Sequence, residues 1–373
     1  MRVHFLRVSH TILSVHWSEP NGLVTYTLNR PKALNALNLD QVSHIEKEIR
    51  VLRENRACSG ILFLGEGDKA FCAGGDVLHI NKSSSDVSSD WNRRWFSSEF
   101  LLDYFISTLR MPVISIWRGI VMGGGVGLSI YGSHRVATDN TMFAMPETSI
   151  GFFPDVGGSW LLSHLVKPKG LGLFLGMTGH RLSGADTVHV GLATHFVPLD
   201  QIPVLISALQ KSGNLDSTVN EYHKMPSSKL SIDFLTSVEK YFHGFTSFEE
   251  LWDNLKSGND EFAVSTVKTI RGKCPLTVYV WFESFKKGSQ ECLMDTFDRE
   301  YKMCINVTET NPHNFQEGVR AQLIDKGKGV PPRYRPEKIE QVTRDMVDEV
   351  LKASEGGDLK QFMLRNKLMY DNV

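Results

Sequence analysis

Residues 113–130 read VISIWRGIVMGGGVGLSI, and this stretch decides the fold. Val113–Trp117 predicts a buried strand, and it runs into the glycine turn Gly123–Gly127 and a further helix. Working outward, His134–Ala137 and Thr141–Ala144 predict two more strands. Upstream, Ile61–Leu64 is a short strand followed by the loop carrying Gly74 and Gly75, and Trp91–Leu109 predicts a helix. Ile12–Trp17 and Leu23–Leu28 read as strands joined by the turn Glu19-Pro20-Asn21-Gly22. Asn38 or Asp40 caps a helix whose apolar positions Val42, Ile45, Ile49 and Leu52 recur at helical spacing. A strand–strand–helix rhythm thus repeats to about Pro198. From Gln201 to about Gln290 helical spacing takes over, as in Phe234, Val238, Tyr241 and Phe242, with Pro275 placed as the first residue of a helix. Pro331, Pro332 and Pro336 break the chain before a last helix near Glu340–Leu351. The expectation is an α/β core over residues 10–200 that carries the site, then a mostly helical region over residues 201–373.

Composition narrows the function classes. The 41 basic and 42 acidic side chains balance, which argues against a dedicated nucleic-acid binder. Five cysteines, Cys58, Cys72, Cys274, Cys292 and Cys304, are odd in number and form no C-x-x-C, so neither a disulfide framework nor a zinc site is expected. No apolar run reaches the roughly eighteen residues of a membrane-spanning helix. The segment MRVHFLRVSHTILSVHW carries Arg2 and Arg7 and no acid before Glu19. It reads equally as a mitochondrial targeting segment or as a frayed lead into the first strand.

The chemistry-bearing residues cluster around two glycine turns and one acidic stretch. Cys72-Ala73-Gly74-Gly75-Asp76 and Met122-Gly123-Gly124-Gly125-Val126-Gly127 each follow a strand and can present a backbone N–H at the start of a helix. Two such donors aimed at one carbonyl oxygen stabilise an enolate or a tetrahedral oxyanion. Read alone, the Gly123–Gly127 run is better explained as letting a helix pack close to a sheet. Leu128 spoils G-x-G-x-x-G and there is no G-x-S-x-G, so dinucleotide binding and a serine nucleophile lose support. Residues 143–158, FAMPETSIGFFPDVGG, hold Glu147 and Asp155 among apolar and glycine neighbours. Glu147 after Pro146 opens a turn or a helix, and Asp155 by itself reads as the N-cap of a helix through Leu161 and Leu162. Together they flank Phe152-Phe153, where a coupled pair with one raised pKa suits acid/base work at neutral pH. Glu99 on its own reads as a solvated helix-face glutamate, and Lys32 as a surface lysine or a phosphate ligand.

LNRPKALNALN (28–38), KAFCAGGDV (69–77), GIVMGGGVGLSI (119–130) and FAMPETSIGFFPDVGG together resemble the crotonase superfamily of coenzyme A thioester enzymes. GLATHFVP (191–198) and EGVRAQLIDK (317–326) extend the resemblance to its hydrolase branch, in collinear order from about Ile12 to Lys326. The resemblance implies an α/β spiral of repeated ββα units with a helical C-terminal region. It implies an oxyanion hole from the N–H groups of Gly75 and Gly124, substrate contacts at Glu99, Gly124, Glu147 and Asp155, and coenzyme A held at Lys32, Ala33 and Leu34. Superfamily hydratases use two glutamates. The first falls at Gly127 here, which leaves Glu147, and Asp155 stands where the hydrolases carry an aspartate. The implied reaction is hydrolysis of a short, branched 3-hydroxyacyl-coenzyme A in mitochondrial valine breakdown. Glu147 would act on water or attack the carbonyl to form a transient anhydride, with Asp155 assisting. No metal or redox cofactor is implied, since coenzyme A is part of the substrate. No membrane or direct nucleic-acid partner is expected, and a homo-oligomer is admitted. Two other readings stand beside it: an enoyl-coenzyme A isomerase using Glu147 alone, and a protein component of the mitochondrial small ribosomal subunit.

Overall fold

The computed structural model describes residues 9–10, 12–19, 21–86, 90–352 and 359–370. Arg2, Arg7 and most of the basic N-terminal segment lie outside the described residues.

The chain divides into two compact units. The first gathers the segments up to Gly75, Leu101–Phe143 and Arg181–Lys229. Among the described residues it is built on eleven strands: β1 (Ser9–His10), β2 (Leu13–Ser18), β3 (Leu23–Leu28), β4 (Gly60–Gly65), β5 (Ala70–Cys72), β6 (Val113–Trp117), β7 (Ile120–Met122), β8 (His134–Ala137), β9 (Met142–Ala144), β10 (Leu182–Ser183) and β11 (His195–Phe196). They form a seven-stranded sheet of order β1-β2-β3-β4-β6-β8-β11 and a four-stranded sheet of order β10-β9-β7-β5. Each successive pair, β4/β5, β6/β7 and β8/β9, gives its first strand to the large sheet and its second to the small one. That alternation is the physical content of the ββα spiral.

The register follows from burial. β3, β4, β6, β8 and β11 run parallel, so they need both faces covered. All five residues of β6 are buried, which accounts for its lack of polar alternation. On one face Leu23, Leu62, Ile114, Ile116, Val136 and Val197 meet Ile202, Leu205 and Leu209 of the helix Ile202–Leu209, together with Leu215 and Val219 of the helix Leu215–Tyr222. Gly60 makes room for this layer, since a Cβ there would lie 2.6 Å from Leu215 Cδ1. The helix Leu39–Leu52 starts at Asn38, whose side chain accepts from Gln41 N–H while the Gln41 side chain accepts from Asn38 N–H.

The second unit gathers Asp76–Phe100, Ala144–His180 and the chain from Leu230 onward. Its centre is the helix Pro275–Gly288, with Pro275 at the first helical position as expected. Trp281 on this helix is fully buried, donates to Leu173 O at 3.0 Å, and lies against Gly176. Beyond β11 every described element is helical. The last helix begins later than its sequence suggests, a 3-10 turn at Ile339–Gln341 preceding the helix Arg344–Leu351, and a further helix follows at Leu359–Tyr370. The charged residues of 317–326 serve structure: Arg320 bridges Glu317 and Asp325 and donates to the carbonyls of Val330 and Pro331. Among the described residues, no helix is long and apolar enough to cross a membrane.

Candidate active site

In the first unit the glycine turns are neighbours because β5 and β7 are adjacent and parallel, with Ala70 opposite Ile120 and Cys72 opposite Val121. Both turns leave the same end of the pair. Gly74 has φ 111° and Gly123 φ 47°, values that favour glycine. A Cβ on Gly74 would lie 3.4 Å from Met122 O and 3.6 Å from Gly124 N, and one on Gly125 would lie 2.4 Å from Cys72 O. So the close-packing reading is met here: the glycines let the two backbones come together. The Gly74 carbonyl accepts from Leu37 N–H at 2.8 Å, which turns the Gly75 N–H to the opposite side of that trans peptide. Gly124 opens the helix Gly124–Ile130, where a first-turn N–H has no intrahelical acceptor. Gly127 is buried inside that helix and supplies no carboxylate.

Lys32, Ala33 and Leu34 form an exposed 3-10 turn, Pro31–Ala33, closed by Leu34 at φ 52°. Leu34 O accepts from Ala73 N–H at 3.0 Å, so this segment is tied to the Gly74–Gly75 loop. Asn35, fully buried, secures it by donating to Glu66 O and Ala70 O.

The acids belong to the second unit. Pro146 precedes a 3-10 turn, Glu147–Ile150, closed by Gly151 at φ 69°. Gly151 is required there because a Cβ would lie 2.1 Å from Asn314 O. Phe152 stacks on Phe96 and Phe153 and tilts against Phe315, giving the neighbouring carboxyls apolar surroundings. Glu147 and Asp155 are each 6 % exposed. Burial raises the Glu147 pKa well above the usual carboxylate range, and the charge of Asp155 raises it further. Burial, then the charge of Glu300, pushes Asp155 up to about 8. Glu147 Oε2 is buried and has no hydrogen-bond partner among the described residues, an arrangement that costs about 1–3 kcal/mol.

Two expectations are corrected. Glu99 is 3 % exposed rather than solvated, because the helix Trp91–Ser107 turns Phe96, Glu99 and Phe100 inward together. Asp155 does not cap the helix through Leu161. Val156 at φ 52° and Gly157 at φ 76° carry the chain through the left-handed region, so the helix starts at Gly158 with Gly157 as its cap.

The donors an N-cap side chain would satisfy go instead to Glu300, which lies 143 residues beyond Gly157. Its carboxylate accepts from Gly157 N–H at 2.8 Å, Ser159 N–H at 3.0 Å and Ser159 Oγ at 2.5 Å. Burial raises its pKa, while Arg299 and those donors pull it back. Cys304, fully buried on the same helix, donates from Sγ to Asp155 Oδ2 at 3.9 Å. Sequence reasoning missed Glu300. Its signal was a charge on the buried stripe Phe297, Tyr301, Cys304 of the helix Leu293–Ile305.

A ββα spiral with paired glycine turns at adjacent parallel strands defines a crotonase-type enzyme acting on acyl-coenzyme A thioesters. The family model described as enoyl-CoA hydratase/isomerase matches residues 23–351, and the chain belongs to that family. It is 36% identical to the mitochondrial 3-hydroxyisobutyryl-CoA hydrolase of Xenopus laevis over 344 residues, covering 90% of this chain and 87% of that one. The corresponding Homo sapiens protein is 35% identical with the same coverage, and that of Dictyostelium discoideum 36% identical over 87% of this chain and 88% of its own. Among solved structures, a carnitinyl-CoA dehydratase from Mycobacterium thermoresistibile aligns with a TM-score of 0.84 at 32% identity, covering 93% of this chain and 98% of that one. An enoyl-CoA hydratase from Rhodobacter sphaeroides aligns with a TM-score of 0.78 at 27% identity, covering 92% and 97%.

Proposed function

We propose that this mitochondrial enzyme hydrolyses the thioester of 3-hydroxyisobutyryl-coenzyme A, or of a closely related short, branched 3-hydroxyacyl-coenzyme A, in valine breakdown. The observation that carries the reading is the buried Glu147–Asp155 pair, in a chain that places Gly127 where a hydratase has its first glutamate. The hydrolases of Xenopus laevis and Homo sapiens, alike along nearly their whole length, support the choice of substrate.

In this reading the Gly75 and Gly124 N–H groups donate to the thioester oxygen as it gains charge. Glu147 takes a proton from the attacking water, or its carboxylate attacks the carbonyl carbon directly and water opens the resulting anhydride. The C–S bond breaks and the thiolate of coenzyme A takes up a proton. Two like charges in one buried place do not both ionise, so the pair keeps a proton for Asp155 to share with the substrate hydroxyl or the leaving group. Lys32, Ala33 and Leu34 hold the coenzyme A moiety, and Glu99 contacts the acyl part. The reaction so written uses no metal or redox cofactor.

The test is thiol release from 3-hydroxyisobutyryl-coenzyme A by the wild type beside Glu147→Gln and Asp155→Asn. Turnover that collapses in both folded variants supports the assignment. A folded wild type inactive on this and related 3-hydroxyacyl thioesters overturns it, and co-sedimentation with mitochondrial small ribosomal subunits would then favour the structural role.

A further inference from the structure

The turn after Asp155 needs an external fastening. Val156, a β-branched residue, sits at φ 52° and Gly157 follows at φ 76°, a costly backbone for valine. Within the turn, Asp155 O accepts from Gly158 N–H at 2.7 Å. Further ties come from the helix Leu293–Ile305. Glu300 holds the amides of Gly157 and Ser159 and the Ser159 hydroxyl, and one turn later Cys304 reaches Asp155 Oδ2. The backbone following Asp155 and its carboxyl group are thus held from a single helix.

The geometry points to Glu300 as a positioning residue for the thioester chemistry: it fixes the strained Asp155–Ser159 turn, and with Cys304 it fixes where the Asp155 carboxyl sits and when it gives up its proton. The inference rests on the hydrolase reading for the task of Asp155, but its structural part stands without turnover.

The charged surroundings define the expected signs. Asp155 faces Glu147 from the 3-10 turn and Glu300 and Cys304 from the helix Leu293–Ile305, while Glu99 acts on Cys304 and Arg299 on Glu300. The Glu300 charge holds the Asp155 proton on, and the Cys304 S–H favours its release. Neutralising Glu300 does not strand Arg299, which also pairs with Glu291 at 2.8 Å and donates to Ser159 Oγ at 2.9 Å.

Glu300→Gln and Cys304→Ala should therefore shift Asp155 in opposite directions, which a general loss of stability does not do. Two readouts are used on the full chain: the alkaline limb of the kcat/KM pH profile with 3-hydroxyisobutyryl-coenzyme A, and titration of the Asp155 carboxyl by 13C NMR on aspartate-labelled protein. Glu300→Gln should move both by about one unit to lower pH, and Cys304→Ala by roughly a few tenths of a unit to higher pH. Unmoved midpoints in both folded variants, with or without a uniform fall in rate, overturn the proposal. Should Glu300→Gln not fold, the alkaline shift in Cys304→Ala supports it and an unmoved midpoint overturns it. An inactive wild type whose Asp155 titration still shifts as described rejects the hydrolase reading and keeps Glu300 as the residue that positions Asp155.

Discussion

Replacing Asp155 by asparagine should inactivate the enzyme and make it more stable. The side chain is 6 % exposed, its folded pKa lies at about 8 against an ordinary 3.8, and burial is the larger cause. An unfolded chain gives up this proton near 3.8 and the folded chain holds it to about 8, so folding takes up a proton in between. Stability from this group is full below the lower value and is lost as pH rises through the window. At about 1.4 kcal/mol per pH unit, the loss reaches about 4.5 kcal/mol near pH 7, an upper figure because Glu147 and Glu300 titrate with it. Asparagine has no charge to desolvate and removes that slope. At roughly 2 °C per kcal/mol for a chain of this size, the variant should melt several degrees above the wild type at pH 8 and only about 3 °C above it at pH 5. Thermal unfolding followed by circular dichroism from pH 5 to pH 9 reads both numbers. A variant that melts at or below the wild type at pH 8, with a parallel pH dependence, refutes the claim that Asp155 is held neutral at the expense of stability.

Glu147→Gln should lower kcat for thiol release by about 100- to 10,000-fold with the circular dichroism spectrum unchanged, because the amide neither takes a proton nor attacks a carbonyl. Gly125→Ala would place a Cβ 2.4 Å from Cys72 O and push the two glycine turns apart. Its kcat should fall about a hundredfold, the size of one lost oxyanion donor, with KM little altered. Gly176→Ala would set a Cβ 2.2 Å from the indole of Trp281, so denaturant unfolding should show a loss of about 1–3 kcal/mol from overpacking.

The fold was legible where local chemistry is unambiguous. The run of β6, apolar except for Ser115, and the Asn38-x-x-Gln41 cap each have one good structural solution. The adjacency of the glycine turns is less local, because β5 and β7 pair across an intervening strand of the other sheet. Glu99 was misplaced because the face of its helix that points inward is chosen by distant aromatic partners such as Phe152. Asp155 looked like a cap because aspartate before a helix usually is one. What overrides that habit is Val156 in a conformation valine seldom adopts, held by a glutamate far along the chain. Such a partner leaves only an indirect mark in the sequence, a charge on an apolar stripe.

The interleaving of the two units has a consequence for synthesis. The stretch bearing Glu147 and Asp155 must wait for a helix whose contact to Asp155 lies 149 residues downstream. At ribosomal speeds this is a delay on the order of ten seconds, during which a nascent chain displays Phe152, Phe153 and two unclamped acids to the surrounding solution. A chain stalled in that interval would have its strand-borne glycine turns but not the enclosure that shifts the acids' protons. Translation thus leaves the acid site until late, and the exposed stretch is where a chaperone would have reason to hold on.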